Sequence, residues 1–111
     1  MTPTEILIAA REKIERGWTQ GAHARDRRGK STPASRGSAV CWCPQGAIGA
    51  VSPPEEWKKY RDALGLLEAA VGTNLIPSWN DIPGRTQAEV LAAFDKAIEA
   101  SKRTPEGKGQ P

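Results

Sequence analysis

Two capping signatures bracket this chain and leave little freedom at either end. Thr2-Pro3-Thr4-Glu5 joins a threonine cap, a proline at the first helical position and a glutamate three residues after the cap. Thr86-Gln87-Ala88-Glu89 repeats the threonine-to-glutamate spacing. Each opens an apolar stripe at helical spacing. The first is Ile6, Ala10 and Ile14, widened by Leu7 and Ala9; the second is Val90, Leu91, Phe94, Ala97 and Ile98. A helix over about residues 3–16 and another from Gln87 follow, with Gly17 placed to end the first in a left-handed conformation. The 111 residues suit one compact domain, taken as 1–103, with 104–111 as a disordered tail of Pro, Gly and polar residues.

Between these helices the periodicity changes. Gly17, Gly21, Gly29 and Gly37 punctuate a stretch without helical spacing, and two short strands are read there, Gln20 to Arg25 and Ala39 to Trp42. A two-stranded hairpin is marginal alone, so helices must support it. Cys43-Pro44 reads as a cap and first helical residue, opening a short helix to Val51. Ser52-Pro53-Pro54-Glu55-Glu56 starts another, whose buried face is Trp57, Tyr60, Leu64, Leu67 and Val71 and whose stop is Gly72. Leu75 and Ile76 should pack on the core from a connecting loop. The expected fold is α+β, with about four helices around a two-stranded antiparallel hairpin carrying a long basic loop. Its core should include Trp42, Trp57, Leu64, Leu67, Val90, Phe94 and Ile98.

Charge is concentrated in that loop. From Gly21 to Ser38 stand Arg25, Arg27, Arg28, Lys30 and Arg36 against Asp26 alone, a local +4 in a chain whose total is +3, which leaves −1 for the rest. Its serines and glycines suggest a mobile segment, and its charge an acidic partner: a protein surface, a nucleoprotein complex or nucleic acid directly. The four tryptophans fall in four segments. Trp42 and Trp57 read as core, whereas Trp18 and Trp79, at a helix exit and in a loop, are candidates for partial exposure at an interface.

The blocks Gly17-Trp18-Thr19-Gln20-Gly21-Ala22 with Ala24-Arg25-Asp26, Trp42-Cys43 with Gly46-Ala47-Ile48, and Trp79-Asn80-Asp81 with Gly84-Arg85-Thr86, Glu89-Val90-Leu91, Phe94-Asp95 and Ala97-Ile98 resemble a small uncharacterised domain family of bacterial and bacteriophage genomes. The resemblance runs from about Thr4 to Ala100 and implies no activity. The doubled Cys41-Trp42-Cys43, Pro44 and the basic loop look like departures from its pattern.

Chemistry has few candidates. Cys43 at a helix N-terminus, His23 on the neighbouring strand and Asp81 (or Asn80) to orient the imidazole would make a thiol site. Against this, Cys is often buried, and a cap explains Cys43 without catalysis. A disulfide between Cys41 and Cys43 would be strained, and zinc would need His23 plus Asp26 or Asp81 beside them, so no metal and no cofactor is expected. Gly29-Lys30-Ser31 resembles the end of a phosphate-binding loop, but Ala24 stands where its first glycine is required. Asn80, Asp81 and Gln20 read first as turn-holding residues. No apolar run approaches the roughly 20 residues of a membrane span. Glu5 before the first apolar run and Arg11 after it are in the wrong order for a secretory signal, so a cytoplasmic location is expected. The reading is a non-catalytic interaction protein contacting an acidic partner through the basic loop; the phage link implied by the resemblance makes an inhibitor of a host defence system, of the anti-CRISPR kind, its specific form. A nucleic-acid-binding accessory protein and, behind it, a Cys/His thiol enzyme are the alternatives.

Overall fold

The computed structural model describes residues 1–103; the expected tail, 104–111, lies outside the described residues. The order is α1 (Pro3–Arg16), β1 (Ala24–Asp26), β2 (Ala39–Trp42), α2 (Pro44–Val51), a 3-10 turn (Pro54–Glu56), α3 (Trp57–Val71), α4 (Ile76–Asn80) and α5 (Gln87–Arg103). The described residues form an α+β fold with five helices and one antiparallel pair of strands.

Both capping boxes form. Thr2 Oγ1 accepts from the Glu5 amide at 3.1 Å while Glu5 Oε1 accepts from the Thr2 amide at 2.8 Å; Thr86 and Glu89 do the same at 3.2 and 3.0 Å. The two helices so started run antiparallel and are joined at three levels. Thr4 Oγ1 meets Ser101 Oγ at 2.7 Å, Arg11 forks onto Asp95 at 2.7 and 3.2 Å, and Gln87 Nε2 donates to the Ile14 carbonyl at 2.8 Å. That last bond satisfies a carbonyl in the final turn of α1, where no intrahelical donor remains. α1 also packs on α2 and α3, so its apolar stripe is the centre of the core. Ile6, Leu7, Ala10 and Ile14 are fully buried with Ile48, Leu67, Ile76, Val90 and Phe94.

Gly17 ends α1 for a different reason from the one expected. Its backbone is extended, at φ −172°, not left-handed. A Cβ there would collide with the Val40 carbonyl, so glycine is demanded by the close pass of β2. Gly46 is held to the same requirement by the His23 carbonyl against the first turn of α2. Gly72 does take the left-handed cap, at φ 82°.

Other expectations shift. The first strand is Ala24–Asp26, not Gln20 to Arg25, because Gly21 turns the chain at φ 80° and Gln20 is engaged elsewhere. Trp57 is not core: it is 60% exposed as the first residue of α3, where the stripe continued by Tyr60, Leu64 and Leu67 runs past the end of the packed core. Tyr60, Val71 and Ile98 are half-buried at the rim of the core. Leu75 is exposed, while Ile76 is buried as the first residue of α4, a short helix in place of the expected connecting loop.

Phe94 is the largest fully buried side chain. Phe94→Ala should therefore cost about 3–5 kcal/mol in urea unfolding, against less than about 1 kcal/mol for Trp57→Ala. A small effect at Phe94 would mean that α5 presents another face.

Candidate functional site

The hairpin and α4 are tied together through one buried side chain. Asn80 is fully buried. Its Oδ1 accepts from Trp18 Nε1 at 2.7 Å, and its Nδ2 donates to the Thr19 carbonyl at 3.0 Å and towards Asp81 Oδ1 at 3.4 Å. Gln20 Nε2 returns the link, donating to the carbonyls of Asn80 at 2.7 Å and Ile82 at 3.2 Å, and the Gly21 amide donates to Asp81 Oδ1 at 2.8 Å. Two segments about sixty residues apart thus satisfy each other's polar groups, as burial requires. On the other side of residues 17–19, Trp42 donates its amide to Gly17 and accepts from Thr19, at 3.0 and 3.1 Å. Trp79 is half-buried under the Arg85 guanidinium, 4.1 Å from its ring centroid, and Arg85 Nε donates to the Trp79 carbonyl at 3.0 Å. Trp18 and Trp79 are thus partly exposed, as read, but each already has an internal partner.

His23, Cys43 and Asp81 do converge. With Gly21, Ala22 and Pro77 they line an open cavity of about 350 Å³. The arrangement nonetheless withholds the nucleophile. Cys43 is 2% exposed, and its sulfur accepts from the Gly46 amide at 3.3 Å as the cap of α2. Burial pushes the Cys43 thiol above its ordinary range, and the Asp81 carboxylate adds to this, while amides of the helix start oppose it. What joins His23 to Cys43 is backbone: the Cys43 amide donates to the His23 carbonyl at 3.0 Å. The covered thiol serves as the cap of α2, and burial favours its neutral form. Cys41 and Cys43 are both free, and no cluster of three metal-ligating side chains occurs among the described residues.

The five cations of the loop divide into two kinds. Arg25 is a clamp: its guanidinium donates to Thr19 Oγ1 at 3.0 Å, the Gly29 carbonyl at 3.0 Å and the Gln20 carbonyl at 3.1 Å. It folds the hairpin back on itself and is not free for a partner, against the reading that grouped it with the rest. Arg27, Arg28, Lys30 and Arg36 are exposed and form no ion pair among the described residues. The segment bearing them is held at more points than its serines and glycines suggest. Asp26 Oδ1 accepts from the amides of Arg28 and Lys30 at 2.9 and 3.0 Å, and the Asp26 amide donates to the Lys30 carbonyl at 2.9 Å. Thr32 donates to the Ala24 carbonyl, and Trp42 Nε1 reaches the Ala34 carbonyl, both at 3.0 Å. An irregularity between Arg25 and Asp26 leaves Val40 without a partner in β1. Val40 is 44% exposed and lines a shallow groove with Arg27, Arg28 and Ser38.

Sequence reasoning identified the exposed cations from charge counting but missed Arg25 as a clamp and Asn80 as the buried centre. The signal for Asn80 was present in Trp79-Asn80-Asp81, an apolar-flanked amide, yet nothing local says what it faces.

These features define a small α+β domain whose hairpin is stapled to a short helix and presents a row of unpaired cations. The chain belongs to DUF6197, a family of unknown function, whose model matches residues 1–100. Comparison with curated proteins and with solved structures gave no match. No helix of the described residues is long and apolar enough to cross a membrane.

Asn80→Ala strips partners from Trp18 Nε1 and the Thr19 carbonyl and should cost about 2–6 kcal/mol by chemical denaturation, at roughly 1–3 kcal/mol for each orphaned group. Loss of less than about 1 kcal/mol would show that water replaces the amide. For Cys43, the folded state favours the neutral thiol, so the stability it adds is complete below about pH 8.5, the ordinary thiol value, and is lost as pH rises above it. Subtracting the pH–stability curve of Cys43→Ser from that of the wild type should isolate this decline. Iodoacetamide should modify Cys41 well before Cys43 in the folded protein; faster reaction at Cys43 would restore the thiol-enzyme reading.

Proposed function

We propose that this chain is a non-catalytic binding protein that engages an acidic protein surface through Arg27, Arg28, Lys30 and Arg36. The observation that carries this reading is the set of four exposed cations without internal counter-ions, on a segment anchored at both ends by Asp26, Arg25 and the Trp42–Ala34 bond. A segment whose backbone is already held loses little backbone entropy on docking, and its unpaired cations steer an acidic partner from a distance. Val40, exposed beside Arg27 and Arg28 in a groove that Asp26 also lines, supports a protein over nucleic acid, because it offers apolar area that contacts to phosphates would leave unburied. Inhibition of a host defence complex is one form of this activity, with the acidic surface supplied by a protein of that complex.

The test spares Arg25. Replacing Arg27, Arg28, Lys30 and Arg36 by Ser should change stability by less than about 1 kcal/mol, since exposed charges contribute little to folding. Arg25→Ser should cost about 1–2 kcal/mol through its lost bonds. In pull-downs from nuclease-treated lysate, the wild type should retain a protein that the fourfold variant loses, and raising salt should weaken its capture. Complete loss of capture on nuclease treatment would move the reading to nucleic acid. Equal capture by wild type and variant would remove the cations from the function.

A further inference from the structure

The two ends of the β1–β2 connection meet around a shallow groove of about 350 Å³, lined by Asp26, Arg27, Arg28, Gly37, Ser38 and Val40. The lining itself carries the charge: two guanidiniums against one carboxylate, a net +1. Neither guanidinium has a partner among the described residues. Asp26 is half spent, since its Oδ1 accepts from the amides of Arg28 and Lys30 while its Oδ2 accepts from nothing. Both walls are held by turn bonds. On one side the Gly29 amide donates to the Asp26 carbonyl at 2.9 Å, and on the other the Ala39 amide donates to the Arg36 carbonyl at 3.0 Å. Val40 supplies the apolar part, pointing outward from β2 beside the buried Ala39. A Cβ added at Gly37 would meet nothing within 4 Å, so the approach on that side is open.

We infer that this groove reads one carboxylate side chain of an acidic protein segment, paired by Arg27 and Arg28, together with an aliphatic side chain laid on Val40. The inference rests on the reading of the cationic segment as partner-facing and names the chemistry of the partner at one position: Asp or Glu with Val, Leu or Ile on the same face. Three features of the groove select that occupant. Guanidiniums match a carboxylate in fork geometry. Val40 holds apolar area that only a partner with an apolar group covers. Asp26 Oδ2 calls for a donor, which a peptide amide supplies; a row of phosphates has none to give and is repelled by the carboxylate. The five cations therefore have three tasks. Arg25 holds the hairpin, Arg27 and Arg28 fix the partner in place, and Lys30 and Arg36, which do not line the groove, attract from a distance.

The experiment titrates three probes by amide chemical shift: a Glu-rich peptide with one Leu, the same peptide with Ser replacing Leu, and a single-stranded oligothymidine. Both peptides are capped at both ends, so that side chains carry their only charges. The Leu peptide should bind roughly fivefold more tightly than the Ser peptide, the ratio expected from partial burial of one aliphatic side chain. Its largest shifts should fall at residues 26–28 and 37–40. Val40→Ser, which should melt like the wild type because the side chain is exposed, should erase the ratio and leave binding of the Ser peptide unchanged. The paired variant Arg27→Ser/Arg28→Ser should weaken both peptides roughly tenfold or more. Lys30→Ser/Arg36→Ser should weaken them only about two- to threefold and keep the ratio. Equal binding of the two peptides, an unchanged ratio in Val40→Ser, or equal losses in the two paired variants overturns the groove while leaving the cationic surface standing. Binding that neither paired variant weakens overturns the surface as well. No binding of either peptide overturns the groove, and capture from lysate then decides the surface by itself. Oligothymidine binding more tightly than the Leu peptide, and lost in Arg27→Ser/Arg28→Ser, would make the groove a phosphate site and overturn the protein assignment.

Discussion

Asn80 sits where water cannot reach and where two otherwise separate parts of the chain each have polar groups to satisfy. Trp18 needs an acceptor for its indole N–H, the Thr19 carbonyl needs a donor, and α4, only five residues long, cannot be stable through its own hydrogen bonds. One primary amide resolves the first two, and docking resolves the third. Around it, Gln20 and Asp81 repeat the exchange in both directions. The position of the hairpin against the helices, and so the direction in which its charged connection projects, follows from this network. A glycine at Gly17 and another at Gly46 then allow β2 and the His23 backbone to lie directly on α1 and α2.

The same construction explains why His23, Cys43 and Asp81 meet around one pocket. The three residues meet because the segments carrying them are the ones the network joins. Asp81 accepts from Gly21, Cys43 caps α2, and the His23 backbone supports the first helical turn. Each has a structural task that accounts for its place. The negative charge of Asp81 works against a thiolate, the reverse of what a cysteine nucleophile needs.

What could be read from the chain follows the range of the forces involved. Helix starts, the Cys43 cap, the Gly72 stop and the last helix are set by contacts within a few residues, and the residue types announce them. Spacing puts Trp57 in line with Tyr60 and Leu64 but cannot tell that it is the first residue of α3, where the stripe runs past the packed core. The Gln20 to Arg25 strand was misread because Gln20 and Gly21 are recruited by Asn80 and Asp81, some sixty residues away. Arg25 was counted as surface charge, although its guanidinium binds three groups of its own hairpin. At the candidate site, the four remaining cations were legible from sequence because exposure without partners is the default for a charged run. The groove that Val40 lines with Arg27 and Arg28 was not, because its walls come from both ends of the connection between β1 and β2.

The distance along the chain between Trp18 and Asn80 also has a kinetic side. α1 and α5 can begin to form from local capping, but the staple requires closure of a loop of about sixty residues before any of its bonds is repaid. α4 lacks the length to wait as a preformed helix, so its amides should gain protection from solvent exchange only as residues 18–21 arrive. The hairpin and α4 would then order as one late cooperative unit, and the surface that carries the exposed cations would be completed after the helical core that supports it.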